Sequence, residues 1–234
     1  MSDLPETKPR REAKAARTEP WPVEAPSTAF ARTKVVVRRV VPMLGGVDIV
    51  GAENIPTEGP VILAPSHRSS WDPPYLTLLT ERQQFYMSKE SLFKVPIFGP
   101  FIAKLGAFPV RRGEADRAAL RKAMDYLKSG RIVTIFPEGT RSIDGTLKDA
   151  EKGFALIARQ TGAVIVPVAV EGTQKLAPKG AKWLRRTRVQ LTVGEPITAA
   201  EILAAHSGSD KDALSIIGEE IMHRIADLRN TQRL

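Results

Sequence analysis

Of the three histidines in this chain, only His67 has neighbours that could make it a base. It stands five positions before a carboxylate in Ser66-His67-Arg68-Ser69-Ser70-Trp71-Asp72. A carboxylate that holds one imidazole nitrogen fixes the tautomer and leaves the other nitrogen to take a proton. On one continuous helix these positions point to different faces. The pair can act together only if His67 lies on a strand-to-helix loop and Asp72 at the helix N-cap, where the chain can fold back. Otherwise Asp72 simply caps its helix and His67 is a loop residue. His206 follows a helix and His223 lies on the terminal one, without chemically useful neighbours.

A second string, Phe136-Pro137-Glu138-Gly139-Thr140-Arg141-Ser142, has the makings of an anion-holding turn. Gly139 allows the backbone to aim its amides at an anion, and the Thr140 hydroxyl and the Arg141 guanidinium add donors. The alternative is an ordinary turn. Arg111-Arg112 gives another cationic point, and the forked donors of arginine suit phosphate. Alone, such a pair is more often a solvated surface.

Much other chemistry is absent. The chain has no cysteine, hence no thiol nucleophile and no disulfide framework. Scattered histidines without cysteine argue against a metal site. Neither phosphate-loop nor dinucleotide glycine patterns occur, nor GxSxG, nor HExxH. The net charge of +9 favours anionic partners: a membrane surface, a phosphorylated substrate or nucleic acid. Aromatic residues make up only 6% and do not interleave with a basic face, so nucleic acid is not expected. The N-terminus lacks the apolar core of a secretory signal, and no apolar run is long enough for a transmembrane helix. These features predict a protein on the cytoplasmic side, either in solution or peripheral to the inner face of the cell membrane.

The elements that must position these strings follow from patterning. Residues 1–26, rich in Pro and charge, read as a disordered tail. Residues 27–46 mix valines with Arg32, Lys34, Arg38 and Arg39, a basic amphipathic helix that either lies on anionic lipid or packs on the domain. Residues 47–234 form a single α/β domain. Val61-Ile62-Leu63-Ala64 and Ile132 to Phe136 are buried strands that deliver the two strings, and Asp72-Pro73-Pro74 opens a helix. Leu92 to Leu105 is apolar on too many sides for a surface helix and is expected to pack in the core, line a groove or touch lipid. Val164 to Val170 is a strand whose Pro167 points to an edge, a bulge or the strand's end. Strands and helices alternate, which predicts a largely parallel central sheet flanked by helices.

Four blocks in order resemble those of the glycerolipid acyltransferase family. Ser66 to Asp72 is similar to its HxxxxD block. Gly106-Ala107-Phe108-Pro109-Val110-Arg111-Arg112 is similar to a block ending in arginine, a place that Arg112 takes. Phe136 to Ser142 is the most specific match, and Val166-Pro167-Val168-Ala169-Val170 resembles a strand with a proline. The likeness runs from about Gly51 to Pro196 and departs at Ser66, where many members carry Asn. It implies an O-acyltransferase that moves a fatty acyl group from acyl-CoA or acyl carrier protein to 1-acyl-glycerol-3-phosphate (lysophosphatidic acid), giving phosphatidic acid. His67 would be the base and Asp72 its orienting partner, with direct attack and no covalent intermediate. Arg112, Glu138, Gly139, Thr140 and Arg141 would bind the acceptor, and Phe108 and Pro167 would shape the acyl path. No cofactor or metal is implied. Competing readings are the same chemistry on another acceptor (glycerol-3-phosphate, a lysophospholipid or a glycolipid), a hydrolase, or a non-catalytic basic membrane- or nucleic-acid-binding module.

Overall fold

In the computed structural model, residues 25–111, 116–142, 146–178, 183–207 and 212–231 are described. The chain opens with α1 (Thr28–Val40), capped by the Ser27 hydroxyl, and a 3-10 turn over Val41–Leu44 leads into β1 (Val47–Val50). Next come β2 (Val61–Pro65), α2 (Asp72–Leu76), β3 (Gln84–Lys89), α3 (Glu90–Phe93), α4 (Phe98–Lys104) and β4 (Ala107–Val110). The second half holds α5 (Arg117–Lys128), β5 (Ile132–Thr134), α6 (Lys152–Thr161), β6 (Val164–Glu171) and α7 (Thr173–Leu176). It ends with β7 (Val189–Val193), β8 (Ile197–Thr198), α8 (Ala199–Ala205) and α9 (Ala213–Thr231).

The sheet order is β1-β7-β6-β2-β5-β3-β4, with β8 pairing β6. From β6 through β4 all pairs are parallel, while β7 and β8 run antiparallel to β6. The expected largely parallel sheet with helices on its faces is the observed one. Every residue of β2 is buried, as its unbroken apolar run requires in a strand covered on both faces. Ile62 and Ala64 face a core built with α5, α6 and α9; Val61 and Leu63 face the opposite core, with α2 and the end of α1. The sequence pattern marks Val189 to Val193 as a strand, but neither α7, nor β8, nor the antiparallel direction of β7 stood out in it.

Pro167 decides among the expected alternatives in favour of a bulge: residues 166–167 of β6 lie opposite three residues, 194–196, between its pairings with β8 and β7. Its strand, β6, lies inside the sheet, paired with β2 through Ala64↔Pro167. The Pro167 carbonyl accepts from Gly194 N at 2.9 Å, so its edge without an N–H faces the gap where β8 stops and β7 has not begun. Proline is tolerated because no ladder partner is opposite its nitrogen.

One face of α1 packs on the domain through Phe30, Lys34 and Val41. Lys34 Nζ donates to the Thr80 carbonyl at 2.7 Å and pairs with Glu81 at 2.8 Å. Burial pulls the Lys34 pKa below its ordinary value. The other face exposes Val36, Val40 and Met43 among Arg32 and Arg39. The expected tail lies outside the described residues up to position 24. Among the described residues, no helix is long and apolar enough to cross a membrane.

Candidate active site

Adjacent parallel strands β6, β2 and β5 end at one edge of the sheet, where α/β folds place their sites. From the middle strand comes His67, 6% exposed, and its Nδ1 lies 2.8 Å from Oδ2 of the fully buried Asp72. The fold-back expected of this loop is present, with one shift. Asp72 is the first residue of α2, and Trp71 occupies the N-cap position. The carboxylate turns backwards, accepting from Arg68 N at 2.8 Å and Ser69 N at 2.9 Å on the same oxygen that meets the imidazole. Its other oxygen accepts from the Thr173 hydroxyl at 2.6 Å. Asp72 therefore serves the histidine and its loop instead of capping the helix. When Nδ1 carries the proton shared with Asp72, Nε2 is the ring's remaining basic site.

Two further contacts hold the ring and its loop. Phe136 stacks on the imidazole, with centroids 3.9 Å apart and planes at 24°. Ser66 donates its amide to the Val168 carbonyl and accepts from Val170 N on its hydroxyl at 3.0 Å. The hydroxyl thus stitches the end of β2 to β6.

From β5 comes the glutamate turn. Glu138 is 2% exposed and accepts from His67 N at 2.9 Å and Lys148 N at 3.2 Å, one bond on each carboxylate oxygen. Ser142 N donates to the His67 carbonyl at 2.9 Å, so both sides of the His67 peptide frame are tied to this turn. Gly139 has φ +64°, and a Cβ there would lie 2.8 Å from Glu151 Cγ. Thr140 and Arg141 are exposed; Arg141 Nη1 donates to the Ser70 hydroxyl at 2.9 Å and Lys148 Nζ to the Thr140 hydroxyl at 3.1 Å. The turn therefore presents cations beside the histidine loop, with Glu138 beneath them.

Of the residues singled out in the sequence, the fold gathers His67, Asp72, Glu138, Gly139, Thr140 and Arg141. Arg112 lies outside the described residues. Its neighbour Arg111 follows β4 and donates its amide to Asp116 at 2.9 Å. Phe108 is buried in the core against Tyr126, and the Pro167 ring sits by Gly194 and Leu228.

Sequence reasoning missed Thr173, Lys148 and an ionic cluster behind the loop. Arg68, whose side chain is 9% exposed, lies 3.8 Å from Glu171 Oε1, which accepts from Arg229 Nε of α9 at 2.8 Å. A signal for Thr173 was present: Gly172-Thr173 follows a buried strand in the place that His67 takes after β2.

Comparison with known proteins agrees with this geometry. The Acyltransferase family profile matches residues 46–171. A 1-acyl-sn-glycerol-3-phosphate acyltransferase of Bacillus subtilis is 33% identical over 195 residues, covering 82% of this chain and 92% of that protein. A chloroplastic protein of the same name from Arabidopsis thaliana is 34% identical over 170 residues, covering 70% of this chain and 47% of its own. The chain thus spans about half the length of the chloroplast relatives it matches. The crystal structure of the 1-acyl-sn-glycerophosphate (LPA) acyltransferase PlsC from Thermotoga maritima superposes with TM-score 0.69. It is 28% identical and covers 87% of this chain and 79% of that one. The profile match takes in more than half of the chain, including the buried His67–Asp72 pair, and the chain belongs to the acyltransferase family.

Proposed function

We propose that this protein transfers a fatty acyl group from an acyl thioester to the free hydroxyl of 1-acyl-glycerol-3-phosphate, forming phosphatidic acid in phospholipid biosynthesis. The carrying observation is the buried His67–Asp72 pair set beside a turn that bears Arg141 and Lys148. His67 Nε2 takes the hydroxyl proton as the oxygen attacks the thioester carbonyl. Asp72 stabilises the imidazolium, a general-base contribution of about 10²–10⁴-fold. Collapse of the adduct breaks the C–S bond, and the thiolate leaves with the proton from His67. Each step runs without a covalent enzyme intermediate and needs no cofactor; acyl-CoA or acyl carrier protein is a substrate.

Arg141, Thr140 and Lys148 receive the acceptor phosphate, with Arg112 as a further cation. Glu138 acts through the backbone it holds, and Gly139 supplies the left-handed turn. Thr173 is a positioning residue for Asp72. Phe108 and Pro167 stand behind the walls of the acyl path. The outward face of α1, with Val36, Val40 and Met43 between arginines, is suited to an anionic membrane on the cytoplasmic side.

The test is thiol release from palmitoyl-CoA with and without 1-acyl-glycerol-3-phosphate, with the lipid product identified. Acceptor-dependent release that yields phosphatidic acid is expected. Equal release without acceptor would mark a hydrolase, and release only with glycerol-3-phosphate would move the proposal to that acceptor.

A further inference from the structure

Between β3 and β4 the chain leaves the sheet as a two-helix spur, α3 and α4, whose outer surface is apolar. Leu92, Val95, Phe98 and Phe101 are 39%, 45%, 44% and 47% exposed, and Ile97 at the tip is 88% exposed. Single exposed apolar side chains are ordinary, but a contiguous group marks a binding surface. Core packing, one of the three expectations for this segment, fails for these five residues.

The tip is built at a conformational cost. Ile97 has φ +65° and ψ −49°, the only positive φ outside glycine among the described residues. Phe98 N donates to the Pro96 carbonyl at 2.7 Å, closing a γ-turn centred on Ile97. This turn is rare and strained, most of all for a β-branched residue. The spur's base is fixed: a Cβ on Gly99 would lie 2.2 Å from the Phe93 carbonyl oxygen, so the two helices meet backbone to backbone. A strained turn on a rigid base thus holds an isoleucine in the open.

The surroundings select the occupant. From Ser91 to Gly113 the sequence contains no acidic residue. Lys94 and Lys104 are exposed beside the apolar group, and Glu90 is engaged with Lys94 at 3.4 Å. Apolar side chains ringed by cations match the interface of an anionic bilayer. A second copy of the chain would bring like charges together. Because β3 is parallel to β2 through β5, α3 leaves the sheet at the same edge as His67.

We propose that the α3–α4 spur is a lipid-insertion element. Ile97 and its apolar neighbours enter the acyl region of an anionic bilayer, Lys94 and Lys104 meet the headgroups, and the catalytic edge is set against the membrane that supplies the acceptor. This rests on the reading that the acceptor is a bilayer lipid.

The absence of native cysteine permits a single-site test. The full chain carrying Ile97→Cys is labelled with an environment-sensitive fluorophore and mixed with phosphatidylcholine–phosphatidylglycerol vesicles, with neither acyl donor nor acceptor present. A blue shift and quenching by lipid-borne nitroxide are expected, and neither from a label at Arg159→Cys, an exposed position of α6. Ile97→Asp is expected to weaken vesicle binding about tenfold or more. Ile97→Gly should weaken binding while raising Tm, because glycine accepts the positive φ. A label that stays in water at saturating vesicle concentration, or undiminished binding of Ile97→Asp, overturns the proposal. So does a shift that follows protein concentration without vesicles, since a second copy would then cover the spur. Equal insertion into pure phosphatidylcholine overturns its electrostatic part. No turnover is read, so failure of insertion and failure of the acyl-transfer assay are separate results.

Discussion

Thr173→Val is the perturbation most informative about how the base is held. The hydroxyl donates to Asp72 Oδ1 at 2.6 Å, and both residues are fully buried. Valine keeps the shape and removes the donor, so Oδ1 loses the hydrogen bond from the Thr173 hydroxyl. A hydrogen bond to a buried charged group contributes roughly 1.5–3 kcal/mol. Without the Thr173 hydroxyl the carboxylate is held only through Oδ2, by the Arg68 and Ser69 amides, and can pivot about that oxygen so that its alignment with the imidazole is lost. If the whole loss falls on the competent arrangement, kcat drops by about 10–150-fold. If it falls on the fold instead, Tm drops by about 2–4 °C per kcal/mol for a chain of this size. Thr173 is assigned no contact with the acceptor, so KM for 1-acyl-glycerol-3-phosphate should hold. Thr173→Ser, which restores the donor, should stay within a few-fold of wild type. The assay is steady-state thiol release with the acceptor varied, alongside thermal unfolding of each variant. Wild-type kcat in Thr173→Val, or equal damage from the serine variant, would refute the positioning role.

Two further outcomes follow from the same geometry. Glu138→Gln sets an amide nitrogen where a carboxylate oxygen now receives His67 N or Lys148 N, stranding a buried donor at about 1–3 kcal/mol; kcat should fall with acceptor KM steady, and a rise in KM alone would instead mark direct acceptor contact. Asp116 caps α5, and the Arg111 N–H, followed by the Ala119 N–H, holds its pKa below the ordinary value. Its stabilisation is therefore present above the ordinary carboxylate pKa and lost as pH falls through the depressed folded value. Thermal unfolding of wild type and Asp116→Asn should converge as pH drops below the ordinary carboxylate range, and a gap that widens on acidification would reverse the assignment.

The parts legible in the sequence were those set by local pattern. Val61 to Ala64 is apolar throughout and Ile132 to Phe136 is interrupted only by Thr134, without alternation, and strands buried on both faces need that composition. Glycine at position 139 signalled a turn because its φ is one that other residues resist. The fold-back of Asp72 onto His67 was accessible from spacing, but its hydrogen bonds were not. The carboxylate receives amides from its own loop and a hydroxyl from Thr173, 101 positions away, and no local pattern encodes that distance. Pro167 left edge, bulge and strand end open for a related reason: whether a strand's N–H is missed depends on what lies opposite, here a break between β8 and β7. Glu138 reads as an acceptor contact in sequence, yet in the fold its oxygens meet backbone amides of two loops.

The central claim is that the His67–Asp72 pair activates the acceptor hydroxyl. The most direct measurement is single-turnover acyl transfer by His67→Ala and Asp72→Asn against wild type, with folding of each checked by circular dichroism. A folded His67→Ala should lose about 10²–10⁴-fold in rate, and Asp72→Asn should also lose rate because it can no longer stabilise the imidazolium. A folded His67→Ala that transfers at the wild-type rate would contradict the account.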